Sequence, residues 1–198
     1  MGNEYDDGWQ EKCLISIARQ GGSDVKFQGL TETVDIDLGE KDIEGVALVN
    51  GGRMLKVSPE TDTTVTFEAY PLEMGTASGT TGKGFFDLLN GTDASQPLSM
   101  TSTHTRTKCR VALMWTNDST ATDAAAATTG NAAGARFVFA DGMITSVKPS
   151  FTDGVLKFTV NYKVPAFDKS GSANVREEST DTTGDLPALN AYTSSTKW

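Results

Sequence analysis

The sequence has little of the chemistry that most active sites and structural metal sites require. It contains one histidine, His104, and two cysteines, Cys13 and Cys109, which excludes a zinc site or a framework of several disulfides. Both cysteines lie in apolar, strand-like segments, and we expect two buried thiols, with a disulfide as the alternative. No apolar run approaches the roughly 18 residues of a membrane span, and residues 1–10 are too polar for a signal peptide.

Basic residues are also scarce. The chain has 17 Lys and Arg against 26 Asp and Glu, which gives a formal net charge of −9. Binding to nucleic acid requires Lys and Arg to replace counterions at the phosphates. This negative net charge therefore argues against a surface that binds DNA or RNA tightly. It does not exclude nucleic acid as a cargo that passes along an acidic, repelling wall.

The motifs that could carry catalysis or metal binding are absent or incomplete. No G-x-S-x-G nucleophile motif occurs. The segment 79–84 lacks the upstream Gly and the Ser or Thr of a phosphate-binding loop. Asp35 and Asp37 resemble the start of a calcium loop, but Gly39 replaces the next ligand. We predict a protein that is not an enzyme and has neither a cofactor nor a metal.

Alternation of apolar and polar residues predicts an all-β fold, an antiparallel β-sandwich or barrel. In the segment 135–165, the pairs Asp141-Gly142 and Asp153-Gly154 predict three strands joined by two tight turns, with Pro149 at the end of the middle strand. The last strand has a predicted buried face of Leu156, Phe158, Val160, Tyr162 and Val164 and a polar face of Lys157, Thr159, Asn161 and Lys163.

A further hairpin is predicted in the segment 39–59, where Asn50-Gly51 marks the tip. Its arms are apolar on both faces, and a two-stranded ribbon of that kind is not stable alone in water. One interpretation is a central strand pair of the sandwich; the other is a projecting hairpin that a second subunit covers. The candidate contact residues in the second case are Val46, Leu48, Val49, Asn50, Gly51, Met54, Leu55 and Val57.

The composition divides the chain into three parts. Residues 1–11 form an N-terminal arm, 12–165 the β-sandwich domain and 166–198 a polar C-terminal extension. Within the domain, 85–89 is a predicted short α-helix, and the Ala- and Thr-rich segment 117–134 is a predicted exposed surface loop. The extension has few apolar anchors, so we expect it to be mobile unless a neighbouring subunit holds it.

Three stretches together resemble the major tail tube protein of long-tailed, siphovirus-like viruses of bacteria or archaea. The first, at 151–175, is FTDGVLKFTVNYKVPAFDKSGSANV. The second, at 37–73, has a charged bend, the Asn-Gly hairpin and the strand TVTFEAY in the order that such proteins use. The third is FFDLL at 85–89, which corresponds to their single helix. The segment 117–134 and the tail beyond residue 175 have no counterpart.

The resemblance implies a structural protein of the virion tail that is assembled in the host cytoplasm. Such subunits form rings, commonly hexamers, which stack into a tube with a continuous inner β-barrel, and the segment 39–59 usually reaches a neighbouring subunit or ring. The implied partners are further copies of the chain and other tail proteins: the tape measure, tail terminator and baseplate or tip proteins. DNA passes through as transient cargo during genome ejection, and no membrane is involved.

An acidic bore would let DNA slide without binding. The candidate lumen carboxylates are Glu32, Asp35, Asp37 and Glu68. We expect the polar face that carries Lys157 and Lys163 to point elsewhere, to the tube exterior or a neighbouring subunit. Two alternatives stay open: the tube protein of a contractile injection system, and an extracellular β-sandwich module for binding or adhesion.

Overall fold

The structure, a computed structural model, describes residues 12–21, 24–27, 33–41, 43–57, 61–69, 108–180 and 184–198. These residues form ten strands and contain no helix. The strands are β1 Lys12–Arg19, β2 Asp24–Phe27, β3 Val34–Asp37, β4 Ile43–Ala47, β5 Arg53–Val57, β6 Thr63–Ala69, β7 Cys109–Thr116, β8 Gly134–Thr152, β9 Val155–Val164 and β10 Val175–Thr180. The helix predicted at 85–89 lies outside the described residues.

Eight of the strands form one antiparallel sheet in the order β2-β1-β7-β8-β9-β6-β3, with β10 also paired to β8. Strand β8 belongs to both halves of this sheet, because its first part pairs with β7 and β10 and its second part with β9. Apolar side chains of the two halves meet in one core, formed by Ile15, Ile17, Val111, Leu113 and Phe139 on one side and Val65, Phe67, Phe158, Val160 and Tyr162 on the other. The predicted all-β, antiparallel fold is confirmed.

The prediction of a hairpin turn at Asp141-Gly142 is wrong, because β8 continues through this pair for 19 residues. Asp141 has a φ of 61°. Cys109 pairs with Gly142 and Val111 with Phe139, so Ala140 and Asp141 form a β-bulge opposite the single residue Arg110 of β7. The predicted strand end at Pro149 is also wrong, since Pro149 pairs with Phe158 of β9. Proline is compatible with this position because β9 is the one described partner of this half of β8.

The turn at Asp153-Gly154 is confirmed. Both residues have positive φ, 53° and 81°, and they join β8 to β9 as a two-residue turn in which Thr152 pairs with Val155. The predicted alternation in β9 is confirmed as well, because its apolar positions from Phe158 onward are buried and lie in the core. Strand β9 therefore has one core face and one polar face.

The outer face of β1, β7 and β8 is covered by two irregular segments of the same chain, 117–133 and 184–198. The segment 117–133 is not the predicted exposed loop, because seven of its 17 residues are buried: Asp118, Ala121, Asp123, Ala124, Ala125, Thr128 and Ala132. The segment 184–198 buries Leu186 and Tyr192. The chain's own sheet thus holds the C-terminal tail, where we expected a neighbouring subunit to be needed.

Two buried arginines bind these covering segments to the sheet. Arg136 of β8 forms an ion pair with Glu178 of β10 and donates hydrogen bonds to the carbonyl oxygens of Ala124, Ala126 and Pro187. Arg110 of β7 donates to the carbonyl oxygens of Asn190 and Lys197 and lies over the Tyr192 ring. Because a buried guanidinium must satisfy its donors, these carbonyl contacts stabilise the cover.

Both cysteines are free thiols; Cys109 is buried, as expected, whereas Cys13 is half-buried. Cys13 lies opposite Trp115 and Cys109 lies opposite Arg19, so the two thiols are near opposite ends of the β1–β7 pair. Burial raises the pKa of the Cys109 thiol to about 11. Because the thiolate is the reactive form, Cys109 is a structural residue.

Candidate assembly surfaces

Strands β4 and β5 form a separate two-stranded sheet, and no described strand of the main sheet pairs with them. The exposed large apolar side chains of these strands and of the connection between them are Ile43, Val46, Leu48, Val49, Met54 and Leu55. Leu55, at 70% exposure, pairs with Gly45, and Val46 pairs with Met54. The interpretation as a central strand pair is therefore wrong. The segment is a hairpin that projects from the sandwich with its apolar residues uncovered by the rest of the described chain.

The tip of this hairpin is longer than a two-residue turn. Leu48 and Val49 belong to a five-residue connection, 48–52, between β4 and β5. Asn50 accepts a hydrogen bond from the Gly52 nitrogen at 3.0 Å, and Gly51 has a φ of 80°. The predicted role of Asn50-Gly51 at the tip is thus confirmed, because these two residues supply the side-chain acceptor and the left-handed conformation that the turn needs.

The base of the hairpin is fixed by hydrogen bonds between its two connecting segments. The Glu40 nitrogen donates to Thr61 Oγ1 at 3.0 Å, and Thr63 Oγ1 donates to the Leu38 carbonyl oxygen at 3.2 Å. Gly39 has a φ of 80°, and a Cβ there would lie 2.6 Å from the Thr61 carbonyl oxygen. These contacts hold the hairpin at the end of the sandwich where β6 begins.

The second surface is the polar face of β3, β6, β9 and the second part of β8. Asp35 pairs with Thr66, Asp37 with Thr64, and Glu68 with Thr159, so the described carboxylate candidates lie on one face. Glu32 lies outside the described residues. A row of hydrogen bonds crosses this face, since Thr66 donates to Asn161 at 2.8 Å and Asn161 donates to Ser146 at 2.6 Å.

Lysines share this polar face with the carboxylates. Lys157 forms an ion pair with Glu68 at 3.0 Å, Lys163 pairs with Thr64, and Lys148 pairs with Thr159. The expectation that the lysine face and the carboxylate candidates point to different surfaces is therefore wrong. The charges of the three carboxylates and the three lysine ammonium groups on these described strands cancel, so this surface has no net formal charge.

Two exposed apolar side chains at the end of the β8–β9 hairpin were missed in the sequence. Phe151 and Val155 flank the Asp153-Gly154 turn and are 73% and 47% exposed. Thr152 pairs with Val155 at the end of the β8–β9 hairpin, beyond the last residues that contribute to the core. The signal that could have found these side chains is FTDGV, in which Val155 directly follows a two-residue turn and Phe151 precedes it by one residue.

Open strand edges are the fourth feature. Strands β2 and β3 end the described sheet, and the second part of β8 has β9 as its one described partner. Unpaired edges of this kind are templates for pairing with another chain. In the part of the chain that the structure describes, no helix is long and apolar enough to span a bilayer. No group of three or more His, Cys, Asp or Glu side chains placed to hold a metal occurs among the described residues, and His104 lies outside them.

Comparisons with known proteins give structural similarity alone: no family model matches the chain, and no curated protein matches it. The chain is similar to one in the extended sheath-tube complex of the extracellular contractile injection system PVC, with 17% identity, a TM-score of 0.47 and coverage of 89% and 94% of the two chains. It is also similar to one in the anti-feeding prophage baseplate, with 10% identity, a TM-score of 0.46 and coverage of 90% and 97%. Hcp1 from Flavobacterium johnsoniae gives 13% identity, a TM-score of 0.33 and coverage of 88% and 98%.

Proposed function

We propose that this chain is a structural subunit that self-assembles into stacked rings and forms a tail-type tube. The observation that carries the proposal is the β4–β5 hairpin, whose exposed apolar side chains have no cover within the described part of the chain. A two-stranded ribbon is marginal in water, so burial against a further copy would stabilise it.

The free edges of the sheet support ring formation. A sandwich whose sheet ends at β2 and β3 exposes two unpaired edges, and pairing between neighbouring copies would satisfy both. Heterologous contacts of this kind close into rings when the rotation between copies is a simple fraction of a turn. We propose homohexameric rings, as the resemblance to tail tube proteins implies. The further partners would be tape measure, tail terminator and baseplate or tip proteins.

We propose that the polar face of β3, β6 and β9 lines the bore. The opposite side of the molecule is already covered by segments 117–133 and 184–198, which leaves this face as the open polar surface of the sandwich. Asp35, Asp37 and Glu68 would then lie in the lumen beside Lys157 and Lys163. The cargo would be viral DNA during genome ejection, and the protein would belong to the virion tail.

One observation favours a second candidate, the tube of a contractile injection system. The described polar face has no net formal charge, so it would not repel phosphates as an acidic wall does. A neutral polar bore suits a protein cargo as well as a nucleic acid. Incubating purified tubes with duplex DNA and, separately, with a small protein, and measuring which cargo co-sediments, separates the two candidates.

Sedimentation velocity of the purified chain over a hundredfold range of concentration tests the proposed function. We expect large species that grow with concentration, because burial of an apolar surface between copies follows mass action. A single sedimentation boundary of monomer size at every protein concentration and every salt concentration would contradict the proposal.

A further inference from the structure

The side-chain ammonium of Lys197, on the C-terminal tail, lies among four oxygen atoms of the loop that joins β9 to β10. Lys197 Nζ is 2.8 Å from Asp168 Oδ2 and 2.7 Å from Asn174 Oδ1. The carbonyl oxygens of Ala173 and Ser172 are 3.1 Å and 3.4 Å from the same nitrogen. We refer to these four atoms as the oxygen cage. An ammonium group has three N–H donors, so the oxygen cage holds one more acceptor than Lys197 can use in separate hydrogen bonds.

Hydrogen bonds within the loop orient the Asp168 carboxylate independently of Lys197. Asp168 Oδ1 accepts from the backbone nitrogens of Ser170 at 2.8 Å and Ser172 at 2.9 Å, and from Ser170 Oγ at 2.6 Å. The other oxygen of this carboxylate, Oδ2, is the one that contacts Lys197. The Lys197 ammonium and the loop donors hold the pKa of Asp168 well below its usual range, so the oxygen cage contains a charged carboxylate.

Asn174 is fully buried, and contacts with the sheet and the loop fix its position. Its Nδ2 donates a hydrogen bond to the Pro165 carbonyl oxygen at 2.9 Å, which directs Oδ1 to the oxygen cage. The Ala140 nitrogen of β8 donates to the Asn174 carbonyl oxygen at 2.8 Å. Because a buried amide oxygen requires a donor or a cation as its partner, the oxygen cage requires an occupant.

The charges and distances at the oxygen cage favour a large monovalent cation. Lys197 Nζ and Lys108 Nζ lie 3.9 Å and 3.3 Å from Asp141 Oδ2, so two ammonium groups face the carboxylates of Asp141 and Asp168. Without Lys197, these contacting groups are left with one negative charge. The N···O distances of 2.7 to 3.4 Å also exceed the about 2.0–2.1 Å of Mg²⁺–oxygen contacts and the about 2.3–2.6 Å of Ca²⁺–oxygen contacts.

We propose that the oxygen cage is a binding site for a monovalent cation of the potassium or ammonium class, which Lys197 fills from within the chain. Carbonyl oxygens replace the hydration shell of K⁺ in ion channels, and here a carboxylate adds the compensating charge. When the Lys197 ammonium is removed, a free cation enters the site and becomes the partner of Asn174 Oδ1 and Asp168 Oδ2. The site goes beyond the proposed function and does not depend on tube assembly.

Substitution of Lys197 and rescue by free cations test the site. Lys197→Ala removes the ammonium and keeps the backbone carbonyl oxygen that Arg110 binds. The Tm of thermal unfolding is measured in KCl, NH₄Cl, NaCl, CaCl₂ and choline chloride at equal ionic strength. K⁺ and NH₄⁺ are expected to raise the Tm of the variant above its value in choline chloride by about 2–4 °C, once the cation concentration exceeds its Kd about fivefold. Na⁺ and Ca²⁺ are expected to raise it less, because they are too small for the oxygen cage.

Two variants and the wild type serve as controls. The oxygen cage of the wild type is filled, so its Tm is expected to show no preference for K⁺ or NH₄⁺. Lys169→Ala removes an exposed ammonium from the same loop and is expected to respond to the salts as the wild type does. Lys197→Ala combined with Asp168→Asn is expected to lose the rescue, because the oxygen cage then lacks its carboxylate. If Lys197→Ala does not fold, Lys197→Met, which keeps the aliphatic stem, replaces it.

Three results would overturn the site. The first is an equal Tm of the Lys197 variant in KCl, NH₄Cl and choline chloride. The second is a rescue that survives Asp168→Asn, or a wild type with the same preference for K⁺ and NH₄⁺ as the variant. The third is a larger rise in CaCl₂ than in KCl, which would contradict the size and charge of the cation.

Discussion

The hydroxyl group of Tyr162 in β9 accepts a hydrogen bond from the backbone nitrogen of Gly142 in β8 at 2.9 Å. The same hydroxyl lies 2.8 Å from the Cys109 carbonyl oxygen and 2.9 Å from that of Phe139, one of which accepts its proton. Burial raises the pKa of Tyr162 well above its usual range, so it stays a donor at all working pH values. This one side chain therefore joins β7, β8 and β9 where β8 passes from one half of the sheet to the other.

Removing the Tyr162 hydroxyl is expected to destabilise the fold. Tyr162→Phe leaves the Gly142 nitrogen and two carbonyl oxygens without this partner, and a buried group that loses its hydrogen bond costs about 1–3 kcal/mol. Gly142→Ala is expected to cost more, because its Cβ would lie 2.3 Å from the Tyr162 ring. Urea denaturation followed by near-UV circular dichroism measures both. Gly45→Ala, where a Cβ meets nothing within 4 Å, is the control, and an equal loss there would contradict the account.

The buried Arg136 is expected to be the most sensitive single position in the cover. Arg136→Met removes the buried one of the two partners of Glu178 and the donor to three carbonyl oxygens, and breaking a buried pair costs about 3–5 kcal/mol. Arg176→Met is the matched control, since Arg176 also pairs with Glu178 but is 41% exposed, and we expect a loss below about 1 kcal/mol. Thermal unfolding of both variants gives the comparison. Similar losses in the two variants would show that the carbonyl contacts of Arg136 contribute little.

Acid is expected to loosen the 117–133 segment. Burial raises the pKa of Asp118, but hydrogen bonds from Thr120 and Thr129 outweigh this effect and lower the pKa from 3.8 to about 2. The folded-state pKa is thus below the unfolded value, so the stabilisation is complete above about pH 4 and is lost as the pH falls toward 2.

The variant Asp118→Asn removes the carboxylate charge and so measures how much that charge stabilises the fold. Wild type is expected to exceed the variant in unfolding free energy at pH 6, and the difference is expected to shrink as the pH falls toward 2, because protonation removes the same charge. Denaturant midpoints at a series of pH values measure it. The control is Asp62→Asn at an exposed carboxylate. A gap between wild type and Asp118→Asn that stays constant with pH would contradict the assignment.

Charges placed in the hairpin are expected to block assembly and spare the fold. Leu48 and Leu55 are exposed in the free subunit, so Leu48→Asp with Leu55→Asp should change unfolding free energy by no more than about 0.5 kcal/mol. The same charges would be costly in a covered contact. Sedimentation velocity and thermal unfolding of one preparation measure both effects. Outright unfolding of this double variant would mean that the hairpin belongs to the core.

The polar face gives a separate expectation about the bore. Asp35→Asn with Asp37→Asn is expected to leave ring and tube formation intact, because both carboxylates are exposed on the face proposed to line the lumen. Passage of DNA through the tube is expected to change, since the face then gains a net positive charge and attracts phosphates. Electron microscopy checks assembly, and DNA retention in isolated tubes checks the bore. Loss of assembly would place these residues at an interface between copies.

The two Asp-Gly pairs show what the local sequence can and cannot predict in this fold. Both stand between apolar runs and both Asp residues have positive φ, 61° at Asp141 and 53° at Asp153. Asp153-Gly154 is a turn, whereas Asp141-Gly142 lies within a continuous strand with Asp141 in a β-bulge. Tyr192 binds Asp141 and Tyr162 binds Gly142, and these contacts come from residues distant in the sequence. Alternation predicted the faces of β9 correctly, since burial on one face is a local, period-two signal.

The cover over β1, β7 and β8 could not be predicted in the same way. Its segments are rich in Ala, Thr and Asp, and what holds them is a pair of buried arginines, Arg110 and Arg136, that bind backbone carbonyls. Every residue type has a backbone carbonyl acceptor, so the sequence does not show which carbonyls bind an arginine. An arginine at these positions is expected to face solvent. The hairpin was predicted as a candidate contact because its apolar arms exceed what a two-stranded ribbon can bury.

Negative-stain electron microscopy of the purified chain tests the central proposal most directly. The account predicts rings and stacked tubes with a central opening at least as wide as a DNA duplex, and their loss in the Leu48→Asp, Leu55→Asp variant. A field of single, monodisperse particles of subunit size at every salt and protein concentration would contradict it.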